Sequence, residues 1–340
     1  MKLHAKGQSA YGVCGFPEEF SMRSKLTTAF LMLGSALTAL ILTPIAASAQ
    51  HPRPKITGIS HIAVYTSDPG ATNHYYVDLI GAARESDPEN PKGVRYAINA
   101  MQFIEVLPLP PDSGVNRLDH TAYNTDNAEG LRLYLADKGW KVPAKVTHNS
   151  NGSQSFRVND PEGNLVEFVQ PPPDAKAPAA PNEIGHHIIH VGFLVHSRAA
   201  EDKFYRDLLG FRPYWFGGMT DAQVDWVSQQ TPDSHDWLEY MLHAGKTDMS
   251  GTGIPAGISQ QSLGVLDHVS IGVVSVPDSY KKLVAENRIP SHADKEPKVG
   301  KDGKYQFNMY DPDGIRLELM EFHAVEKPCC SSFTADDPTP

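Results

Sequence analysis

The amino-acid sequence predicts an α+β protein made of four similar β-α-β-β-β modules. The first observation is a long internal repeat: LDHTAY at 118–123 leads to DPEGNLVE at 160–167, and LDHVSI at 266–271 leads in the same way to DPDGIRLE at 311–318. The second is a shorter variant, SHIAVYT at 60–66 and IHVGFLV at 189–195, which precedes a helical stretch ending in Leu-Ile-Gly or Leu-Leu-Gly. Such a repeat is one supersecondary unit that buries its apolar face against a neighbour. We therefore expect the modules in the order A, B, A′, B′.

The first module shows the expected elements most clearly. Residues 58–66 alternate between apolar and polar, as in a strand, and Asp68-Pro69-Gly70 marks a turn and helix start. Helical spacing then covers 71–80, and three short β-like runs follow at 83–86, 94–98 and 102–107. For module B we expect a strand at 120–123, a helix at 128–138 and strands near 144–147, 153–158 and 165–168. Modules A′ and B′ repeat the order, with helices at 199–209 and 278–287, a glycine-rich loop at 245–264 between them and a last strand at 315–322.

Length and composition set the domain organisation. At 340 residues and 40% apolar content, the chain can bury two cores. We predict an N-terminal extension with a signal peptide at 1–49, a first domain at 56–172, a Pro/Ala-rich linker at 173–185, a second domain at 186–323 and a polar tail at 324–340. The net charge of −10 argues against a nucleic-acid partner, which requires a basic face.

The N-terminal segment predicts export. A short basic run at 22–25 precedes a mostly apolar stretch to Ile45, and Ala47-Ser48-Ala49 fits the small-residue pattern of a cleavage site. We therefore expect a periplasmic or secreted protein with no stable membrane span after cleavage. The alternative is an uncleaved anchor, which Gly34, Ser35 and Pro44 disfavour, and translation could start at Met1 or at Met22.

The cysteines give no disulfide framework for the folded modules. Cys14 would be removed with the signal peptide, and Cys329-Cys330 form a vicinal pair in the polar tail. We expect this tail to be disordered.

These features carry a family resemblance. The D-P-x-G-x-x-x-E ending, the histidine near the start of the first strand and the β-α-β-β-β order resemble the vicinal oxygen chelate superfamily. That superfamily includes glyoxalase I, the extradiol dioxygenases, several epimerases and the bleomycin-resistance proteins, and the resemblance covers about 56–323. It implies that the modules pair into two vicinal oxygen chelate domains, each with a curved mixed sheet around a pocket. One fold hosts many chemistries, so the reaction has to be argued separately.

The resemblance also implies a set of metal ligands in each domain. Ligands in this superfamily come from the first and last strands of each module, which correspond here to eight positions: His61, Glu105, His120 and Glu167, then His190, Glu239, His268 and Glu318. Two imidazoles and two carboxylates suit a divalent ion such as Fe, Mn, Zn, Ni or Co, with positions left for a substrate. Glu167 and Glu318 are the candidates for catalytic proton transfer. The plainer alternative is that the histidines are structural and Glu105 and Glu239 are outward-facing strand residues.

Three functions fit these residues. The first is a metal-dependent enzyme that binds a small molecule through vicinal oxygens, with either isomerase or lyase chemistry, as in glyoxalase I, or ring-cleaving dioxygenase chemistry. Extradiol enzymes would use His190, His268 and Glu318, but their signature has a Tyr where this sequence has Asn308. The second is a metal-free binding or sequestering protein of the bleomycin-resistance type. The third is a duplicate in which one domain alone works.

Overall fold

Two eight-stranded mixed sheets form the framework of the computed structural model, which describes residues 51–112, 116–242 and 265–340. The first sheet has the strand order β2-β3-β4-β1-β5-β8-β7-β6 and the second the order β10-β11-β12-β9-β13-β16-β15-β14. This arrangement confirms the α+β class and the paired modules. The predicted signal peptide and the glycine-rich loop lie outside the described residues.

The element order repeats four times, as the sequence predicts. The strands of the first sheet are β1 Ile56–Thr66, β2 Ala83–Ser86, β3 Val94–Ala97, β4 Phe103–Pro108, β5 Leu118–Thr125, β6 Thr147–His148, β7 Gln154–Asn159 and β8 Leu165–Gln170. Those of the second are β9 Ile188–Leu194, β10 Arg212–Gly217, β11 Trp226–Gln230, β12 Trp237–Met241, β13 Leu266–Val273, β14 Lys298–Val299, β15 Tyr305–Tyr310 and β16 Arg316–Glu321.

Four helical segments pack on these sheets. They are α1 Pro69–Asn73, α2 Ala128–Asp137, α3 Arg198–Asp202 and α4 Val276–Ala285. Both α1 and α3 continue directly as π-helices, His74–Ile80 and Lys203–Leu208, where the sequence predicted ordinary α-helix. Side chains of Asp68, Asn127 and Ser275 cap α1, α2 and α4 by accepting backbone N–H groups, which explains where these helices begin. None of the described helices is long and apolar enough to cross a membrane.

Each D-P-x-G turn reaches across to the other sheet. The Glu162 carboxylate accepts the N–H groups of His196 and Ser197, at 2.8 and 2.5 Å, just before α3. In the matching position, Asp313 accepts the N–H of Ser67 at 3.0 Å and its hydroxyl at 2.6 Å, just before α1. These reciprocal contacts tie the two sheets together, and the described residues belong to one compact unit.

The polar tail is ordered, contrary to the expectation from its composition. Phe333 packs on Tyr214, and the Asp337 carboxylate accepts hydrogen bonds from the Lys304 ammonium at 2.8 Å and from the Tyr214 hydroxyl. Lys304 is fully buried, so its charge needs the counterion that the tail supplies. Cys329 and Cys330 are joined to each other by a disulfide.

Candidate metal centres

The four predicted donors of the first half lie one on each of four adjacent strands. β1 and β5 run antiparallel at the centre, with β4 parallel to β1 and β8 parallel to β5 on either side. The register places Ala63 between Glu105 and His120, and Ala122 between His61 and Glu167. Laterally paired residues share a face of the sheet. The two alanines therefore leave room on that face for the four larger side chains to converge.

The donor atoms of this first site are within coordination distance of one another. The Nε2 atoms of His61 and His120 are 2.9 Å apart, and each lies 3.6 Å from Oε2 of Glu105. Oε2 of Glu167 is 3.5 Å from the first histidine and 2.9 Å from the second. All four residues are at most 1% exposed.

These separations fit a single bound ion. Around a metal with bonds of about 2.1 Å, neighbouring ligand atoms stand about 3.0 Å apart at right angles and about 3.4 Å apart in a tetrahedron. Both oxygens of Glu105 also lack a hydrogen-bond partner among the described residues. A buried carboxylate without a partner is costly, so a cation at this point would resolve it.

The electrostatics of the first site suit a bound cation. Burial lowers the pKa of His61 to about 3, which keeps the imidazole neutral and its lone pair available. Burial and the neighbouring Asp87 raise the pKa of Glu105 to about 9. Burial opposes ionisation of Glu167 too, but hydrogen bonds from His120 and His61 outweigh it and hold its pKa well below the usual value. Glu167 is therefore the carboxylate that stays charged.

A second set of residues orients these ligands. The Asp119 carboxylate lies 2.6 Å from Nδ1 of His120 and accepts a hydrogen bond from the Tyr65 hydroxyl. Such a carboxylate fixes the tautomer that presents Nε2 as a ligand and raises the basicity of the ring. Arg157 links the group, with its Nε 3.3 Å from Oε1 of Glu167 and its Nη1 3.6 Å from the Asp119 carboxylate.

The loop between β2 and β3 covers the first site. It carries Asp87 and Glu89, which pair with the Arg95 guanidinium at 3.1 and 2.9 Å. That guanidinium lies 4.0 Å above the Phe103 ring, which stacks on His61 with ring centroids 4.3 Å apart. Sequence reasoning missed these residues and Arg157. The available signal was an arginine between apolar neighbours, in Val94-Arg95-Tyr96 and again in Phe156-Arg157-Val158.

The second site repeats the same register. Gly192 stands between Glu239 and His268, and Ser270 stands between His190 and Glu318. The Nε2 atoms of the two histidines are 2.7 Å apart, with Glu318 at 3.3 Å from His190 and Glu239 at 3.5 Å from His268. Hydrogen bonding by His190 outweighs burial and lowers the pKa of Glu318 to about 2, so that carboxylate is ionised.

The residues around the second site differ from those around the first. Opposite Glu239 the neighbouring strand carries Ser228, where Arg95 stands opposite Glu105. Opposite Glu318 it carries Asn308, where Arg157 stands opposite Glu167.

Two further contacts and one difference in exposure distinguish the two sites. Trp237 replaces Phe103 as the ring stacked on the first-strand histidine, with centroids 4.4 Å apart. Nη2 of Arg316 lies 2.8 Å from Nδ1 of His268, the atom that faces a carboxylate in the first site. The Glu239 side chain is 15% exposed, against 1% for Glu105.

The structure thus brings all eight predicted donors into two clusters. In each cluster, three donors have ligand atoms that all lie within 4.8 Å of one another: His61, Glu105 and His120, and then His190, His268 and Glu318. A third group, Asp221 with Cys329 and Cys330, lies near the surface of the tail. Its two sulfurs are bonded to each other, so they offer no thiolate to a metal.

Comparison with known proteins finds a family match in the first half of the chain. Residues 58–168 match the model of the Glyoxalase/Bleomycin resistance protein/Dioxygenase superfamily. No curated protein matches the chain. The matched region lies in the first sheet, and the second sheet repeats its strand order.

Solved structures share the fold across both sheets. An extradiol ring-cleaving dioxygenase from B. fuscum is 14% identical with a TM-score of 0.60, covering 84% of this chain and 76% of its own. A catechol 2,3-dioxygenase is 16% identical with a TM-score of 0.57, covering 82% and 96%. The Mn(II)-bound glyoxalase from Novosphingobium aromaticivorans is 19% identical with a TM-score of 0.58, covering 82% and 86%. At these identities the likeness establishes the fold and leaves the reaction open.

Proposed function

We propose that the chain is an exported, metal-dependent enzyme. Its second-sheet site would bind a small molecule through two vicinal oxygens and move a proton from one atom of that molecule to another. One observation carries the proposal: two imidazoles and two carboxylates converge there from four adjacent strands, and one carboxylate, Glu239, remains partly exposed. A set of this composition suits an octahedral divalent ion with positions left for substrate. A divalent ion held by these residues would polarise the substrate oxygens as a Lewis acid.

The protein itself supplies the proton acceptor. The sequence names Glu167 and Glu318 as candidates for proton transfer, and to these we add Glu239. Its side chain is 15% exposed, against 5% for Glu318. The hydroxyl of Ser228 donates to Oε1 of Glu239 at 3.2 Å and steadies that carboxylate. A general base has to come within hydrogen-bond reach of a substrate proton, directly or through one water, which favours the exposed carboxylate. Glu318, ionised and nearly buried, is better suited to hold the metal.

Proton transfer is favoured over ring cleavage by the residue opposite Glu318. Asn308 occupies that position, where the extradiol signature has a tyrosine, and its Nδ2 donates to Asp294 at 2.9 Å. An amide cannot act as an acid or base near neutral pH. This supports isomerase or lyase chemistry of the glyoxalase kind.

Ring cleavage is the second candidate, and the grouping of His190, His268 and Glu318 favours it. Two histidines and one carboxylate on one side of an ion form the facial triad of non-haem iron oxygenases. The structural likeness to dioxygenases concerns the fold alone.

The test begins with elemental analysis of the chain from Gln50 to Pro340, purified without chelator. We expect bound divalent metal, and we expect Glu318→Gln to reduce it at the second site. Glu239→Gln should keep the ion and abolish turnover of a hemithioacetal formed from methylglyoxal and a small thiol. Oxygen uptake with catechol and Fe(II) would instead support ring cleavage. If no divalent ion binds even after reconstitution, the enzyme proposal is wrong and the metal-free binding function takes its place.

Export rests on the N-terminal sequence. The bonded Cys329 and Cys330 are in keeping with an oxidising compartment. Mass spectrometry of the protein recovered from the periplasm or medium should give a mature chain that begins at Gln50, and a full-length cytoplasmic product would contradict export.

A further inference from the structure

We propose that the two sites have different roles: the first site holds a sealed, slowly exchanging structural metal ion, and the second holds the exchangeable ion that meets the substrate. The inference rests on the proposed function for its premise that metal binds. It goes further by assigning the first site a role outside catalysis. The difference lies in the residues that surround two otherwise equivalent donor sets.

Two arginines close the first site. Arg95 is 7% exposed and held by Asp87 and Glu89, and its guanidinium covers Phe103, which in turn covers His61. Arg157 closes the other side through its contacts with Glu167 and Asp119. The result is a layer of paired charges over donors that are at most 1% exposed.

Charge also distinguishes the first site. Five carboxyl groups come together around the first site, those of Asp87, Glu89, Glu105, Asp119 and Glu167. Two arginines, Arg95 and Arg157, pair with four of these carboxyl groups. Glu105 pairs with neither arginine, and its oxygens accept no hydrogen bond that meets the distance and angle limits among the described residues. A divalent cation between Glu105 and the two histidines would satisfy that carboxylate.

The second site lacks this cover at the equivalent positions. Ser228 and Asn308 are short and neutral where the first site has its two arginines. The shorter side chains agree with the greater exposure of Glu239. A coordinating substrate requires an approach of this kind to the donors.

One ligand of the first site has an orienting partner. Asp119 faces Nδ1 of His120, which favours the tautomer with a free Nε2 and makes the ring a stronger ligand. This contact should help the first site to hold its ion tightly.

Metal exchange tests the assignment without any substrate. The intact mature chain is loaded with Co(II), mixed with excess EDTA, and sampled for bound cobalt by elemental analysis after desalting. We expect two phases: about one ion per chain leaves quickly and the other at least about tenfold more slowly, in line with the effect of orienting partners on metal binding. Trp237 stacks on His190, so recovery of quenched tryptophan fluorescence should follow the fast phase.

Variants then assign the slow phase to the first site. Arg95→Ser and Arg157→Asn introduce the residues of the second site, and each should accelerate the slow phase at least about tenfold. Glu105→Gln should abolish that phase and lower the midpoint of thermal unfolding. Arg132→Ser is the matched control, since Arg132 pairs with Glu129 on α2, away from both donor sets. Arg157 is 37% exposed, so its variant should fold even if Arg95→Ser does not.

The possible failures are distinguishable. If no cobalt binds, the proposed function is wrong along with this inference. If two ions leave at one rate, or if the slow phase is unchanged in both arginine variants, the division of roles is wrong while the metal-dependent function stands. Assignment of the slow phase to the ion near Trp237 would reverse the roles of the sites and overturn the inference.

Discussion

Gly192 should be essential for the second site. A methyl group placed on it would lie 2.3 Å from Cε1, 2.6 Å from Nδ1 and 3.1 Å from Nε2 of His268. Carbon atoms pack at about 3.5 Å, so the imidazole would have to move by about 1 Å. Metal–ligand distances tolerate only about 0.2 Å. Gly192→Ala should therefore displace the ligand and lower the affinity of the second site for Co(II) by about tenfold to hundredfold or more.

The assay is a Co(II) titration followed by tryptophan quenching, with elemental analysis as the count of ions. The first site should be unaffected, because Ala63 already carries a methyl group at the matching position beside His120. Gly70→Ala is the matched control, since the nearest atom to its added methyl is Asp68 Oδ1 at 3.5 Å. Overpacking should also cost about 1–3 kcal/mol of stability. The reasoning would be refuted if the Gly192→Ala variant bound Co(II) at the second site with the affinity of the wild type, as measured by tryptophan quenching.

Two further predictions concern buried charges away from the donors. Burial raises the pKa of Glu201 to about 8, so the folded chain keeps a proton that the unfolded chain releases above about pH 4.5. The free energy of unfolding should thus fall as pH rises from 5 to 8. Urea titrations at several pH values should show a smaller fall for Glu201→Gln than for the wild type. An equal dependence on pH in both proteins would contradict this. Asp337→Asn should leave the Lys304 ammonium without its counterion and so destabilise the chain. We expect a loss of about 2–3 kcal/mol, less than for a fully buried pair because Asp337 is 20% exposed. The exposed neighbour Asp336 is the control, and equal urea midpoints for Asp337→Asn and Asp336→Asn would exclude a role for the ion pair.

The repeats allowed the fold to be predicted from sequence, because each module carries its own pattern. A strand with a histidine, a helix and a D-P-x-G turn recur at fixed intervals, and register follows from the alternation along each strand. Positions such as Glu105, between Ile104 and Val106, could be found by alignment of the modules. The structure then brought the donors together without any change in the predicted set.

The sequence was less informative where contacts depend on distant parts of the chain. Asp87 and Glu89 lie in a turn whose polar composition is typical of any surface loop, and their approach to Glu105 depends on how the β2–β3 loop folds over the sheet. The tail was misjudged for the same reason: its composition is polar, and its order depends on the buried Lys304 that Asp337 meets. The π-helical continuation of α1 has no distinct pattern either, since Tyr75 and Tyr76 fit an ordinary helix equally well.

The arrangement of the two sheets indicates what a metal ion in the first site would stabilise. An ion bound by His61, Glu105, His120 and Glu167 would join the four central strands of the first sheet, each of which supplies one donor. The turn after β7 then reaches α3 through Glu162, and Asp313 returns the contact to the first sheet through Ser67. The second site must stay open for substrate, so a layer of ion pairs cannot hold its donor side chains rigid. The geometry of those donors therefore has to be fixed by the surrounding scaffold. The two arginines that exclude substrate from the first site would thus make that site a rigid support for the second.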